Sequence, residues 1–376
     1  MKVLFILHGP YDCNSGVQIF HFANQLVEVG FEPTVCAPGS PDRIERVGEP
    51  RFERLAPAQL RRATRRRFDV VHTWTPREGV RKLTEQVKKR HDLPVIVHLE
   101  DNEEVLLAAH AHLSYEEISR LSPRWQRRAG GDGAVHPSRY PQFMREAAEV
   151  TVITRELSRF APGPWELLRP GVDTHLFSPD GPTAERAELG LSEDDFVIVY
   201  PGNLHSPNER DMFSLYLSVR LLRRRGHPVR LVRLGSDYTD GSDPSFATLR
   251  EGSVELESRP WTEVPSYLRI ADALVQPGPP NEFNRYRLPA KLPEFLAMGR
   301  PVLLPRCNVG EELDDGVNAV LLERGTGTEI ADRLEPLVVD RDLGRRIGRA
   351  GRGFAIEVFD WEASSRGLAA LYRRVA

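Results

Sequence analysis

The chain has 376 residues, 51 Lys plus Arg against 54 Asp plus Glu, a formal net charge of −3 and 40% apolar residues. That length exceeds one ordinary core and suits two α/β domains of similar size. The near-balanced charge excludes a general attraction to nucleic acid.

Taken in chain order, short β-branched runs alternate with amphipathic stretches, the pattern of parallel strands joined by crossover helices. The opening MKVLFILHGP has an apolar run, Val3 to Leu7, too short for a signal-peptide core, and it reads as a first buried strand. Asn14 or Ser15 is placed to cap a following helix, Val17 to Val29, which Gly30 ends. Further strands are expected at Thr34–Ala37, Asp69–Thr73, Val95–Leu99 and Val150–Thr154. The polar, turn-rich segment Phe177–Glu193 reads as a linker. A second series of strands follows at Phe196–Tyr200, Arg230–Leu234, Val254–Glu257, Ala273–Gln276, Val302–Leu304 and Ala319–Leu322. Trp361 to Val375 has apolar residues at helical spacing, among them Leu368, Leu371 and Tyr372. No stretch approaches the roughly 20 apolar residues that cross a bilayer. Cys13, Cys36 and Cys307 show neither metal nor redox spacing, which fits a reduced, cytoplasmic setting.

The most informative stretch is Asn281 to Pro301, NEFNRYRLPAKLPEFLAMGRP. Pro289 fits a first helical turn, and Gly299 followed by Pro301 stops the helix. Lys291 and Glu294 are three apart and share a face near the helix start. A helix N-terminus offers unpaired N–H groups and a positive dipole end, which suit a diphosphate. Lys291 adds a cation there, and Glu294 is placed to accept hydrogen bonds from sugar hydroxyls. An ordinary Lys–Glu surface pair is the competing reading.

The run PAKLPEFLAMGRPVLLP resembles the nucleotide-binding segment of the retaining glycosyltransferases of family four, which have the GT-B fold. Five more stretches are similar to that family in the family's order: VLFILHGPYDCNSGVQIFHFANQLVEVGFEPTVCAP, LLRPGVDTHLFSP, FVIVYPGNLHSPNE, SRPWTEVPSYLRIADALVQPG and VGEELDDGVNAVLL. FDWEASSRGLAALYRR resembles its closing helix, so the resemblance spans nearly the whole chain. It implies two Rossmann-like doubly wound domains facing across a cleft: 1–168 on the acceptor side, 169–358 for the nucleotide sugar, and 359–376 as a helix crossing back.

The resemblance also implies site residues. Glu294 matches the second of the family's two glutamates. The position of the first holds Tyr286, with Glu282 as a displaced substitute and Tyr286 or Asn284 as alternatives. Where the family clamps the diphosphate with Arg and Lys, this sequence has Asn203 and Asn208, with His205 between them and Arg210 just beyond, so Lys291 is the candidate for the missing charge. The loop at Gly16 is implied to face the donor phosphates or the acceptor; a strand–helix turn needing a small residue is the alternative. His98 ends PVIVHLED at the carboxyl edge of its sheet, where the resemblance places a transferred sugar. His72, in DVVHTW, has the same kind of position and reads as structural. Glu100, Asp101, Glu103 and Glu104 read as solvated loop charges or acceptor contacts, and no metal is expected. The basic run Arg61–Arg67 reads as a solvated helix face ahead of a peripheral contact with anionic lipid.

These implications give a metal-independent transferase with no cofactor beyond its nucleoside diphosphate sugar, acting on a hydroxyl acceptor with retention. Its catalytic candidates are His98, Lys291 and Glu282. Two rivals stand beside it: an inverting enzyme with His8 or His98 as general base, and a degenerate protein that binds a sugar nucleotide or a partner without turnover.

Overall fold

The computed structural model describes residues 1–62, 68–90, 92–238 and 248–376, so most of the Arg61–Arg67 run lies outside the described residues. The chain divides into two compact units, Met1–Gly171 with Trp361–Ala376, and Val172–Asp360.

The first unit holds a seven-stranded sheet of β1 (Lys2–Leu7), β2 (Glu32–Cys36), β3 (Glu53–Leu55), β4 (Val70–Trp74), β5 (Val95–Leu99), β6 (Glu149–Val152) and β7 (Trp165–Leu167). Their order is β3-β2-β1-β4-β5-β6-β7, and every pairing is parallel. β4, β5 and β6 are buried along their whole length, as strands covered on both faces must be. β3 and β7, each three residues at a sheet edge, are additions to the sequence reading; they are too short to show a periodic pattern. The first helix runs Asn14–Glu28, and its cap is Cys13 rather than Asn14 or Ser15: the Cys13 sulfur accepts from the Gly16 N–H. Gly30, with φ 83°, follows it in the left-handed conformation that lets a chain leave a helix.

The last helix, Trp361–Val375, packs into this first unit. Its Leu368, Ala369, Leu371 and Tyr372 share a core with Phe5, Phe22 and Phe31. Gly171 lets the chain pass close to Trp361, since a Cβ there would lie 2.4 Å from the indole.

The second unit holds β8 (Phe196–Pro201), β9 (Val229–Leu234), β10 (Val254–Leu256), β11 (Ala273–Val275), β12 (Val302–Pro305) and β13 (Val320–Leu322). The order is β10-β9-β8-β11-β12-β13, again wholly parallel. Phe177–Glu193, read from sequence as a linker, lies inside this unit: Phe177 and Leu191 are buried, and Arg186 donates to the carbonyls of Ser192 and Asp195. Polar composition there marks an irregular but anchored segment.

In each sheet the strand order reverses beside the first strand, between β1 and β4 and between β8 and β11. Such switch points leave a crevice at the carboxyl ends of the strands, where doubly wound sheets hold ligands.

Candidate functional site

At the switch point of the second unit, the loop after β8 contains Gly202, and the ammonium of Lys291 sits directly over it. A Cβ on Gly202 would lie 2.6 Å from Lys291 Nζ, so only glycine leaves the cation its place. Lys291 Nζ donates to the Tyr200 hydroxyl at 3.0 Å and lies 4.2 Å from the centre of that ring. The contact combines a hydrogen bond with cation–π attraction and fixes a flexible side chain at the carboxyl end of the sheet.

Lys291 opens the seven-residue helix Lys291–Ala297. The helix starts at Lys291, not at Pro289, which stays outside and accepts the Leu292 N–H through its carbonyl. Pro293 sits in the first turn instead, where a missing N–H breaks no intrahelical bond. Gly299, with φ 65°, ends the helix.

One turn on from Lys291, Glu294 accepts from the Trp261 indole N–H at 2.7 Å, while the Trp261 ring remains 41% exposed. Burial pushes the Glu294 carboxyl up to about 7, against the pull of the Trp261 hydrogen bond and of Lys291. Among the described residues no ion pair joins Lys291 to Glu294, so the ordinary surface-pair reading is not what the structure contains. Together Tyr200, Gly202, Lys291, Glu294 and Trp261 offer a cation, a carboxylate and an aromatic face.

The asparagines after β8 are engaged internally. Asn203 Oδ1 accepts from the Ser236 N–H at 2.9 Å and from the Ser258 hydroxyl at 3.3 Å, tying the loops after β8, β9 and β10 together. Asn208 donates to the Asn203 carbonyl at 3.0 Å and accepts from the His205 N–H at 2.8 Å. His205 is exposed and stacks on Tyr238, centroids 4.8 Å apart. Arg210 and Glu282 are both exposed, Glu282 in the first turn of Glu282–Arg285. Tyr286 and Asn284 are buried, and Asn284 donates to the Pro279 carbonyl.

Toward the carboxyl ends of β4, β5 and β6 the parallel register sets Trp74 opposite His98 and His98 opposite Thr151. Side chains in register face the same side of a parallel sheet, so the three meet. His98 is wholly buried; its ring stacks on Trp74 with centroids 4.0 Å apart, and Nδ1 lies 2.9 Å from the Thr151 hydroxyl. Its Nε2 has no hydrogen-bond partner. Burial, with His72 nearby, holds the His98 imidazole neutral, well below its usual range.

Glu100 and Glu103 correct the solvated-loop reading. Glu100 is buried, accepting from the Ser15 hydroxyl at 2.5 Å and from the Trp74 indole at 2.9 Å. Burial pushes its carboxyl up to about 7, with the Ser15 and Trp74 bonds pulling the other way. Glu103 is buried against Arg77 at 2.9 Å. Ser15 reads from sequence only as a helix cap, and Trp74 carries no signal of its own, because their shared partner Glu100 lies beyond β5 and meets them only in the fold. Gly16 has a packing reason to be glycine: a Cβ there would meet the Tyr11 carbonyl oxygen at 2.2 Å.

His8 follows β1, and its Nδ1 lies 3.3 Å from the Trp74 carbonyl. A carbonyl only accepts, so Nδ1 carries the proton and Nε2 keeps a lone pair. Burial and Arg77 lower its pKa to about 4. Among the described residues no group of three or more His, Cys, Asp or Glu side chains could hold a metal ion. Nor is any described helix long and apolar enough to cross a membrane.

Comparison with known proteins bears on the fold. Residues 195–340 match the family described as Glycosyl transferases group 1 and form a domain of that kind. The D-inositol 3-phosphate glycosyltransferase of Frankia alni is 27% identical over 222 residues, covering 55% of this chain and 52% of that protein. The Mycobacterium tuberculosis enzyme of the same name is 26% identical over 270 residues, covering 65% and 53%. The chain thus spans about half the length of the curated relatives it matches. Anabaena HepE, solved with UDP and glucose, aligns over 100% of both chains with a TM-score of 0.71 at 17% identity. The sucrose-phosphate synthase of Thermosynechococcus elongatus aligns over 100% of this chain and 98% of its own, with a TM-score of 0.69 at 14% identity. The fold is therefore that of the GT-B glycosyltransferases, built from two Rossmann-like units.

Proposed function

We propose that this protein is a glycosyltransferase that takes a sugar from a nucleoside diphosphate donor and transfers it to a hydroxyl acceptor with retention of configuration. The observation that carries the reading is the placement of Lys291 over Gly202, one helical turn from Glu294, inside the domain that matches the glycosyltransferase family. In this reading Lys291 meets the diphosphate, Glu294 accepts from ribose hydroxyls, and Trp261 lends a flat apolar face. HepE was solved with UDP-glucose, which makes that compound the first donor to test.

The chemistry asks mainly for stabilisation of the departing diphosphate. Lys291 and backbone N–H groups supply it, and where a bound donor excludes water one such contact is worth roughly 3 kcal/mol of barrier. Arg210 and Glu282, both exposed, are further candidates for donor contact. Asn203 acts behind them by holding the loops after β8, β9 and β10 together, and Asn208 by bracing the loop after β8. His98 serves as a hydrogen-bond donor to the sugar and Gly16 as the close turn at the head of the first helix. No divalent metal takes part.

Two observations favour rivals. The lone pair on His8 Nε2 suits a general base and hence inversion. The internal engagement of Asn203 and Asn208, at the positions where the resemblance implies Arg and Lys, suits a protein that binds a sugar nucleotide without turnover. Supplying UDP-glucose and a panel of hydroxyl acceptors, then reading nucleotide release and the product anomer by NMR, separates the three. An α-product from an α-donor supports retention; a β-product supports the His8 mechanism; tight binding with no release supports the degenerate protein.

A further inference from the structure

Three hydrogen bonds in the first unit form a continuous line. The Tyr372 hydroxyl lies 2.7 Å from His72 Nδ1, His72 Nε2 lies 3.0 Å from the Thr151 hydroxyl, and that hydroxyl lies 2.9 Å from His98 Nδ1. All four side chains are buried, and the line joins the last helix of the chain to strands β4, β6 and β5.

Each hydroxyl has one proton and each neutral imidazole one N–H, so the line runs in one of two directions or, with Thr151 accepting from both imidazoles, strands the Thr151 proton and the His98 Nε2 lone pair, two orphans. In the first, Tyr372 donates to His72, His72 Nε2–H donates to Thr151, and Thr151 donates to His98 Nδ1. His98 then carries its proton on Nε2, and that Nε2–H is the one group left without a partner. In the second, His98 Nδ1–H donates to Thr151, Thr151 to His72, and His72 Nδ1–H to the Tyr372 oxygen. The Tyr372 O–H is then stranded in the core as well as the lone pair on His98 Nε2. A buried donor without an acceptor is the costlier defect, and the second direction has one orphan more than the first.

We propose that Tyr372, His72 and Thr151 act as positioning residues that hold His98 as the neutral Nε2–H tautomer, so that it offers a ligand a hydrogen-bond donor and not a base. The ring itself is fixed by its stack on Trp74, whose indole N–H is in turn held by Glu100. His8 holds the opposite tautomer, so the two histidines at this sheet edge divide donor and acceptor roles between them. That the partner of His98 Nε2–H is an oxygen of the transferred sugar rests on the reading under Proposed function; the tautomer does not. An orphaned buried donor is satisfied only when an acceptor arrives, which is the behaviour of a group kept ready for a ligand.

The tautomer is measured directly by two-bond ¹H–¹⁵N correlation spectra of the histidine rings, with His98→Gln used to assign the signal. The expected result is a neutral His98 with its proton on Nε2 and a hydrogen-bonded Nδ1; a proton on Nδ1, or an imidazolium, overturns the proposal. Thr151→Val, which keeps the β-branched shape, should abolish the hydrogen-bond signature at Nδ1, and Thr151→Ser should restore it. With UDP-glucose as donor, Thr151→Val should lower kcat roughly tenfold with KM for the donor nearly unchanged, and Thr151→Ser should recover most of the loss. A proportional fall of kcat with folded fraction in both variants would reduce the line to packing. If wild type turns over no nucleotide sugar, the proposed function fails while the spectra still decide the tautomer.

Discussion

The carboxyl edges of the two sheets carry their polar groups differently. In the first unit Ser15, Trp74, Glu100, Thr151 and His98 are buried and tied to one another from separate elements. In the second, Lys291 and Glu294 come from one helical turn, and each holds a single hydrogen bond to an aromatic side chain. A network fixed on all sides positions groups before a ligand arrives, at the expense of tolerance to change. A lightly held pair can exchange an internal partner for a ligand, which suits the diphosphate site we propose.

The two glycines at these edges break the comparison most sharply. Gly16→Ala drives a Cβ against the Tyr11 backbone, which cannot yield as a side chain does. We expect a loss of about 2–4 kcal/mol of stability, read as a fall in melting temperature. Gly202→Ala meets the Lys291 ammonium and the Tyr200 ring instead. Stability should fall by only about 1 kcal/mol, while calorimetry should find nucleoside diphosphate affinity lowered roughly tenfold as Lys291 is displaced. Comparable stability losses in both variants would erase the distinction.

A smaller effect concerns pH. With its carboxyl near 7, Glu294 becomes a charged and stronger hydrogen-bond acceptor as pH rises through that value, and on the proposed reading the ribose hydroxyls are what it accepts from. Nucleoside affinity should therefore climb a few-fold between about pH 6 and 8, and Glu294→Gln should flatten the profile. Stability runs the other way. A folded pKa above the unfolded one favours the fold at low pH, and that contribution is lost as pH rises from the ordinary carboxylate range toward 7. A Glu294→Gln protein with an unchanged slope would remove the carboxylate from nucleotide binding.

The same contrast explains what the sequence made legible. The strands appear as short runs apolar on both faces, and eleven of them could be placed to within about two residues; β3 and β7 are too short for any period to register. Lys291 and Glu294 are visible because their relation is local, three residues apart on one helix. The line from Tyr372 to His98 was not visible, since it joins residues up to 300 positions apart and depends on strand register. Glu100 and Glu103 looked like solvated charges because an acidic run in a loop usually is; burial against Ser15, Trp74 and Arg77 is a tertiary fact. Cys13 was passed over as a cap because oxygen-bearing side chains dominate that position.

The central claim is that the second unit binds a nucleoside diphosphate through Lys291, and calorimetry with UDP and uridine on wild type and Lys291→Ala tests it most directly. Wild type should bind UDP far more tightly than uridine. Lys291→Ala should weaken UDP by roughly a hundredfold, the scale of one charged contact in a dry site, while leaving uridine nearly unchanged. Equal losses for the two ligands would mean that Lys291 serves the fold, and no preference for UDP in wild type would contradict the account at its root.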